Sequence, residues 1–135
     1  MKKETWPMRT EAQILDQILY FARSRDCIRA VVMNGSRVNP HAPRDRFQDY
    51  DIVFYVTDPH RFLEDQSWIT YFGDLIILQQ NDFLLHGLDG FIFLMLFTDG
   101  VRIDLSIDPL EGLAYLSEDS LTCVLLDKDG CIPPL

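Results

Sequence analysis

The tightest constraint on the fold of this chain is a pair of carboxylates, Asp49 and Asp51, at the start of the apolar run from Tyr50 to Thr57. Because successive side chains of a strand alternate between its faces, both carboxylates are expected on the same face. Two neighbouring carboxylates repel each other, and each then favours its protonated form. A divalent cation removes that cost, and a site with only oxygen ligands suits Mg²⁺. The motif Asp49-Tyr50-Asp51 therefore predicts a strand that presents a metal site.

A second polar motif, Gly35-Ser36-Arg37, closely follows the β-rich run from Ile28 to Met33, which is predicted to be the first buried strand. Glycine lets a backbone approach a ligand closely. Serine supplies a hydroxyl and an amide that can hold a phosphate. Arg37 adjoins this turn, and we predict that it also contacts phosphate. A phosphate site followed after a short loop by a metal site indicates nucleotide chemistry.

A third carboxylate, Asp104, lies in the second arm of a predicted hairpin. The turn residues Thr98-Asp99-Gly100 separate two apolar runs, Phe91 to Phe97 and Val101 to Ile107, which is a strong hairpin signal. Asp104 faces away from its apolar neighbours, and by itself it would be expected only to face solvent. Because two carboxylates lie upstream, we predict instead that Asp104 completes the metal site or acts as a general base that takes a proton from a substrate hydroxyl. The sequence does not choose between these two roles.

The rest of the chain divides into elements and connections by its periodicity and turn residues. In order, these are a capped helix from Thr10, a helix start at Asp58-Pro59, a strand from Asp74 to Gln80, a polar connection from Asn81 to Asp89, a helix from Pro109 to Glu118, and a strand or helical turn from Leu121 to Leu126. His86 falls in the polar connection and is assigned no role. Lys128 is a candidate phosphate ligand, although a lysine in a turn is more often only solvated.

Composition bounds the class of protein. With 135 residues, of which 47% are hydrophobic, one folded domain is expected. The net charge of −9 argues against nucleic acid as a partner and suits a polycationic ligand, although a solvated acidic surface explains it equally well. Three cysteines without metal spacing predict reduced thiols, and no run reaches the ~18 apolar residues of a membrane span. We therefore expect a cytoplasmic protein with no membrane contact.

These motifs together resemble a known family. Gly35-Ser36, twelve intervening residues and then Asp49-x-Asp51 are similar to the signature of the DNA polymerase β-like nucleotidyltransferase superfamily. Four longer strings, in the same order, resemble the aminoglycoside 6-adenylyltransferases, the enzymes that modify streptomycin. The strings are Asn34 to Arg37, Phe47 to Ile52, Arg102 to Leu105 and Val124 to Asp129. The likeness runs from about Met8 to Ile132.

The resemblance implies an α+β nucleotidyltransferase fold, with a mixed, twisted β-sheet and helices mainly on one face. It implies transfer of AMP from ATP to a hydroxyl of a cationic aminoglycoside such as streptomycin, with Mg²⁺ as cofactor, which is an antibiotic-resistance activity. The residues expected to bind the metal and to carry catalysis are Asp49, Asp51 and Asp104. The residues expected to bind the nucleotide are Gly35, Ser36, Arg37 and Lys128.

The domain organisation implied by the resemblance leaves alternatives open. Members of the family carry a second, helical domain after this one, whereas residues 1–135 are expected to form a single nucleotidyltransferase domain. One alternative is a minimal nucleotidyltransferase that acts on a protein partner. Another is a nucleotide-binding fragment that is catalytically incomplete. A homodimer is a further way in which an acceptor site could be built.

Overall fold

The computed structural model describes residues 8–34, 49–118, 122–130 and 132. Six strands form one sheet in the order β3-β4-β5-β2-β1-β6. The strands are β1 (Ile28–Asn34), β2 (Tyr50–Val56), β3 (Leu75–Leu85), β4 (Leu88–Phe97), β5 (Arg102–Pro109) and β6 (Thr122–Asp127). Among these strands, β2 and β5 pair in parallel and the other neighbours pair antiparallel. The sheet is therefore mixed, as predicted.

The helices lie mainly on one face of this sheet, as expected. They are α1 (Glu11–Ser24), α2 (His60–Glu64) and two 3₁₀ helices, Ser67–Phe72 and Leu110–Glu118. The first three elements cover the larger apolar layer, in which Phe21, Phe62 and Phe72 pack with the sheet. The 3₁₀ helix Leu110–Glu118 packs on the opposite face, where Leu116 closes a smaller apolar cluster. No described helix has the length and apolar character needed to cross a membrane.

The start of α1 follows from its sequence. Thr10 and Gln13 form the predicted capping box, in which the Thr10 side chain accepts a hydrogen bond from the Gln13 backbone and the Gln13 side chain accepts one from the Thr10 backbone. Apolar residues at helical spacing then face the sheet. Those fully buried on this side are Ile14, Ile18, Phe21 and Ala22.

The predicted hairpin between β4 and β5 is confirmed. The backbone amide of Phe97 donates to the Val101 carbonyl at 2.9 Å, and Gly100 has φ of 88°, a conformation that glycine adopts without strain. The Asp99 carboxylate accepts hydrogen bonds from the backbone and side chain of Arg9 and from the Val101 backbone amide. This network fixes the hairpin turn to the segment that precedes α1.

The prediction of a polar connection from Asn81 to Asp89 is wrong. Strand β3 continues to Leu85, β4 begins at Leu88, and a two-residue turn at His86 and Gly87 joins them. Both turn residues have positive φ, 55° and 75°, which matches the twist of a tight hairpin. Because β3 is an edge strand with one side exposed, its polar residues remain solvated without interrupting the pairing with β4.

Two smaller predictions are refined, and a third, the cap of α2, is wrong. The segment predicted as a strand or helical turn from Leu121 is strand β6, which pairs with β1. The helix predicted from Pro109 is a 3₁₀ helix. Asp58 does not cap α2: the N-cap is Pro59, and no side-chain cap hydrogen bond is present there.

Candidate active site

Parallel pairing of β2 with β5 brings two of the predicted carboxylates together. In the register of these strands Asp51 lies opposite Asp104. On the other side of β2, antiparallel pairing places Asn34, the last residue of β1, opposite Asp51. Asp104 is partly exposed, whereas Ile103 and Leu105 beside it are buried in the core. The side chain of Asp104 thus faces away from the apolar layer, as the alternation predicted.

The two carboxylates affect each other's protonation. Burial, the charges of Asp49 and Asp51 and a hydrogen bond with Asp51 together raise the pKa of Asp104 to about 6, against the opposing charge of Arg102. Burial and the charge of Asp49 also raise the pKa of Asp51, whereas its hydrogen bond with Asp104 lowers it. Asp104 is therefore the member of the pair that holds a shared proton more tightly. The repulsion expected between clustered carboxylates is present at this position.

Asp49 lies immediately before β2, and its carboxylate forms an ion pair with the guanidinium group of Arg102. Its Oδ1 atom is 3.4 Å from Nε of Arg102, a side chain that is 56% exposed. An ion pair this open to solvent contributes little to stability. Asp49 is still close enough for its charge to act on both Asp51 and Asp104. Arg102 was not predicted as a site residue, although it stands two residues before Asp104 on the same strand.

The donor set fits a hard divalent cation in its chemistry. Across the described ranges, no three Asp, Glu, His or Cys side chains are grouped so as to hold an ion together. Asp51 and Asp104 do lie together, supply only oxygen atoms, and carry a repulsion that a cation would relieve. Asp49 would complete the set if its carboxylate turned from Arg102 toward this pair.

The predicted phosphate ligands divide into two groups. Gly35, Ser36 and Arg37 lie outside the described residues. Lys128 follows β6, at the opposite end of the sheet from Asp51, because β6 runs antiparallel to β1. Its ammonium group donates to the carbonyls of Ala22 and Arg25 at 2.8 and 2.9 Å, at the C-terminal end of α1. The structure does not bring Lys128 together with the carboxylates.

A groove of about 410 Å³ opens at the carboxylates, and this volume lies within the usual ~300–1,000 Å³ range of small-molecule sites. It extends along β5 past Asp104 toward Asp108, with the β3–β4 hairpin and the Leu110–Glu118 helix as its walls. Its side-chain lining includes Asn34, Asp51, Tyr55, Phe83, Leu85, His86, Leu88, Ile92, Asp104, Ser106, Asp108 and Tyr115.

Two features of this groove were missed by sequence reasoning. Asp104, Ser106 and Asp108 alternate with buried apolar residues along β5 and so share a face, a pattern that was readable in the sequence. His86, which was assigned no role, stacks on Tyr115 with ring centroids 3.8 Å apart and the planes 5° from parallel. No local sequence signal links these two rings, because the contact joins the tip of one hairpin to a distant helix. Both rings line the groove.

Comparison with known proteins places the chain among adenylyltransferases. The family model described as streptomycin adenylyltransferase matches residues 8–135. The aminoglycoside 6-adenylyltransferase of Campylobacter jejuni is 45% identical over 134 residues, which cover 95% of this chain and 46% of that protein. The Staphylococcus aureus enzyme of the same name is 37% identical over 131 residues, which cover 93% of this chain and 46% of that protein.

A solved structure also matches. The crystal structure of an aminoglycoside 6-adenyltransferase from Bacillus subtilis superposes with a TM-score of 0.75 at 31% identity, covering 95% of this chain and 44% of that one. This match confirms the predicted nucleotidyltransferase fold. The chain spans about half the length of the curated relatives that it matches.

Proposed function

The chain belongs to the streptomycin adenylyltransferase family, and from this premise we propose that it serves in the transfer of AMP from ATP to a hydroxyl group of an aminoglycoside such as streptomycin. The observation that carries the proposal is the pairing of Asp51 with Asp104 at the head of the groove. Two carboxylates held side by side against their own repulsion are an arrangement that phosphate chemistry uses. The curated relatives carry the same activity in their names.

We assign the carboxylates to the metal and to proton transfer. Asp51 and Asp104, joined by Asp49, would hold Mg²⁺. When bound, the metal neutralises charge that develops on the transferring phosphate. Asp104 is also a candidate acceptor for the proton of the attacking hydroxyl, because a pKa of about 6 suits a base working near neutral pH. The two roles of Asp104 remain alternatives in this proposal.

The donor phosphates are assigned to the residues that follow β1. Asn34 ends β1 opposite Asp51 and accepts a hydrogen bond from the Thr122 hydroxyl at 2.9 Å. Gly35, Ser36 and Arg37 come next in the sequence, and we propose that they hold the donor phosphates. We do not include Lys128, because its ammonium group is engaged at the other end of the sheet.

The proposal is tested by following labelled AMP. ATP labelled at the α-phosphate is incubated with the chain, Mg²⁺ and a panel of aminoglycosides, and the antibiotics are then separated and counted. We expect Mg²⁺-dependent label on streptomycin with the wild type and none with Asp51→Asn. Calorimetry of ATP binding, with Mg²⁺ present, should show a weaker affinity for the same variant. Equal ATP affinity in the two proteins, or label transferred equally by both, would contradict the proposal.

A further inference from the structure

The groove continues well beyond the carboxylates that the transfer reaction requires. Asp104, Ser106 and Asp108 lie on one face of β5, and the first and last are four residue steps apart, roughly 13 Å at ~3.3 Å per residue. All three line the same cavity. A phosphate and a metal at Asp51 and Asp104 leave the Asp108 end of the groove for another part of the reaction.

The sheet order indicates which reactant that end receives. In phosphoryl transfer the attacking and leaving oxygens lie roughly in line, on opposite sides of the phosphorus. In the sheet, β1 lies on one side of β2, and β5 and the β3–β4 hairpin lie on the other. If the residues that follow Asn34 hold the donor phosphates, as proposed above, the pyrophosphate leaves toward β1. The acceptor then approaches from the side of β5 and the hairpin, where the groove continues.

The far end of the groove has the chemistry of a site for a cation carried on a ring. Asp108 supplies a carboxylate, and the Ser106 hydroxyl donates a hydrogen bond to its Oδ1 atom. Phe83, together with leucine and isoleucine side chains of the hairpin, supplies an apolar wall. The stacked rings of His86 and Tyr115 also line the groove. A few fixed polar groups in an otherwise apolar cleft are what orients a small ligand.

Resting on the proposed function, we propose that Asp108 binds a cationic group of the acceptor, an ammonium or guanidinium, at the end of this groove away from Asp51. Ser106 is a positioning residue that holds the Asp108 carboxylate toward the ligand. When its cationic group is bound at Asp108, an acceptor of several linked rings would lie along β5. A hydroxyl at the other end of this molecule would then reach Asp104. Asp108 thereby selects acceptors by the separation between their cation and their reactive hydroxyl.

The experiment measures streptomycin binding separately from ATP binding, by titration calorimetry at low and moderate salt. Asp108→Asn keeps the shape of the side chain and removes its charge. The matched control is Asp16→Asn, which makes the same change at an exposed position on α1, the helix on the other face of the sheet. We expect streptomycin affinity to fall about 10-fold or more in Asp108→Asn, as for one charge-assisted hydrogen bond. It should fall less than about twofold in Asp16→Asn, and the affinity for ATP with Mg²⁺ should stay unchanged in both.

A second variant tests the positioning role. Ser106→Ala keeps the Asp108 charge but removes the hydrogen bond that orients the Asp108 carboxylate. The KM for streptomycin should therefore rise while the KM for ATP and kcat stay near wild type. Amide chemical shifts on adding streptomycin should move at Ser106, Asp108 and Gly112, which line the groove. Circular dichroism establishes that each variant is folded.

Three results would overturn the inference. One is no streptomycin binding by the wild type, and another is an equal loss of affinity in Asp108→Asn and Asp16→Asn, which would mean attraction to the net charge of −9 alone. The third is a set of shifted amides that leaves out the groove. These outcomes are separable from failure of the proposed function, because that failure appears as ATP binding or AMP transfer insensitive to Asp51→Asn.

Discussion

Replacing Asp104 with asparagine should stabilise the ligand-free protein while removing the proposed AMP transfer. In the wild type this carboxylate is partly buried beside Asp51 and feels the charge of Asp49, and its pKa is raised from 3.8 to about 6. Asparagine has nearly the same shape, can still hydrogen-bond to Asp51, and carries no charge. The substitution therefore removes the repulsion without opening a cavity.

The magnitude follows from the pKa. A rise from 3.8 to about 6 corresponds to about 3 kcal/mol, at ~1.4 kcal/mol for each pKa unit. Because the side chain is partly solvated, we reduce this by about half, to about 1.5 kcal/mol. Because the pKa of Asp104 is raised in the folded state, the contribution of this group to folding stability is fully present below pH 3.8 and is lost as the pH rises through about 6. Wild type and variant should thus differ least near pH 4 and most near pH 8.

Thermal unfolding without metal, followed by circular dichroism across this pH range, measures the effect. We expect the Tm of Asp104→Asn to exceed that of wild type by about 5 °C at pH 8 and by little at pH 4. The control Asp16→Asn changes the net charge equally at an exposed helical position and should track the wild type. A lower Tm for Asp104→Asn at pH 8, or a difference that does not depend on pH, would refute the reasoning.

Three further results are expected. Mg²⁺ with ATP should raise the Tm of the wild type but raise that of Asp51→Asn much less, because binding to the native state alone stabilises it; equal increases would argue against the metal site. Gly90→Ala should lower the free energy of unfolding by about 1–3 kcal/mol, measured as a lower urea midpoint, since a Cβ there would lie 2.3 Å from the Phe83 ring. An unchanged midpoint would mean that the ring moves freely. Burial opposes ionisation of Asp99, but hydrogen bonds from Arg9 outweigh it and lower its pKa. Wild type should therefore lose stability as the pH falls below 4, and Asp99→Asn, destabilised by about 1–2 kcal/mol at pH 7, should show a weaker dependence on acid.

What the sequence predicted well was local to a single strand or turn. The face of Asp104 followed from alternation with Ile103 and Leu105, and the β4–β5 hairpin followed from Asp99-Gly100. Strand pairing lies outside such patterns. The parallel contact of β2 with β5, which sets Asp51 beside Asp104, joins strands that the β3–β4 hairpin separates along the chain. Which strands become neighbours depends on packing of the whole sheet, so the sequence could single out three candidate carboxylates but could not predict their arrangement.

The missed β3–β4 turn shows how composition misleads at a sheet edge. The strand was predicted to end at Gln80 and a polar connection to begin at Asn81, yet Asn81 and Asp82 lie exposed within β3. The decisive contact is across the pair, where Phe83 lies opposite Gly90 and its ring occupies the space that a glycine leaves. A ring of one strand covering a glycine of the next holds register without any local signal. The same hairpin forms the wall of the groove, so missing it also hid the groove.

Lys128 and Asp104 show why two charged residues in apolar surroundings call for opposite explanations. The Lys128 ammonium lies at the C-terminal end of α1 and donates to two carbonyls, a position where the helix dipole favours a cation. Burial and the charge of Arg29 lower the pKa of Lys128, but the two carbonyls accept its hydrogen bonds, and these contacts account for its place. The surroundings of Asp104 are unfavourable to its charge: burial and two carboxylates act against ionisation, and Arg102 only partly offsets them. A fold that keeps such a residue gives up stability there, which a bound cation would restore. That contrast, rather than charge or position in the sequence, is the physical ground for placing Asp104 in the active site and Lys128 outside it.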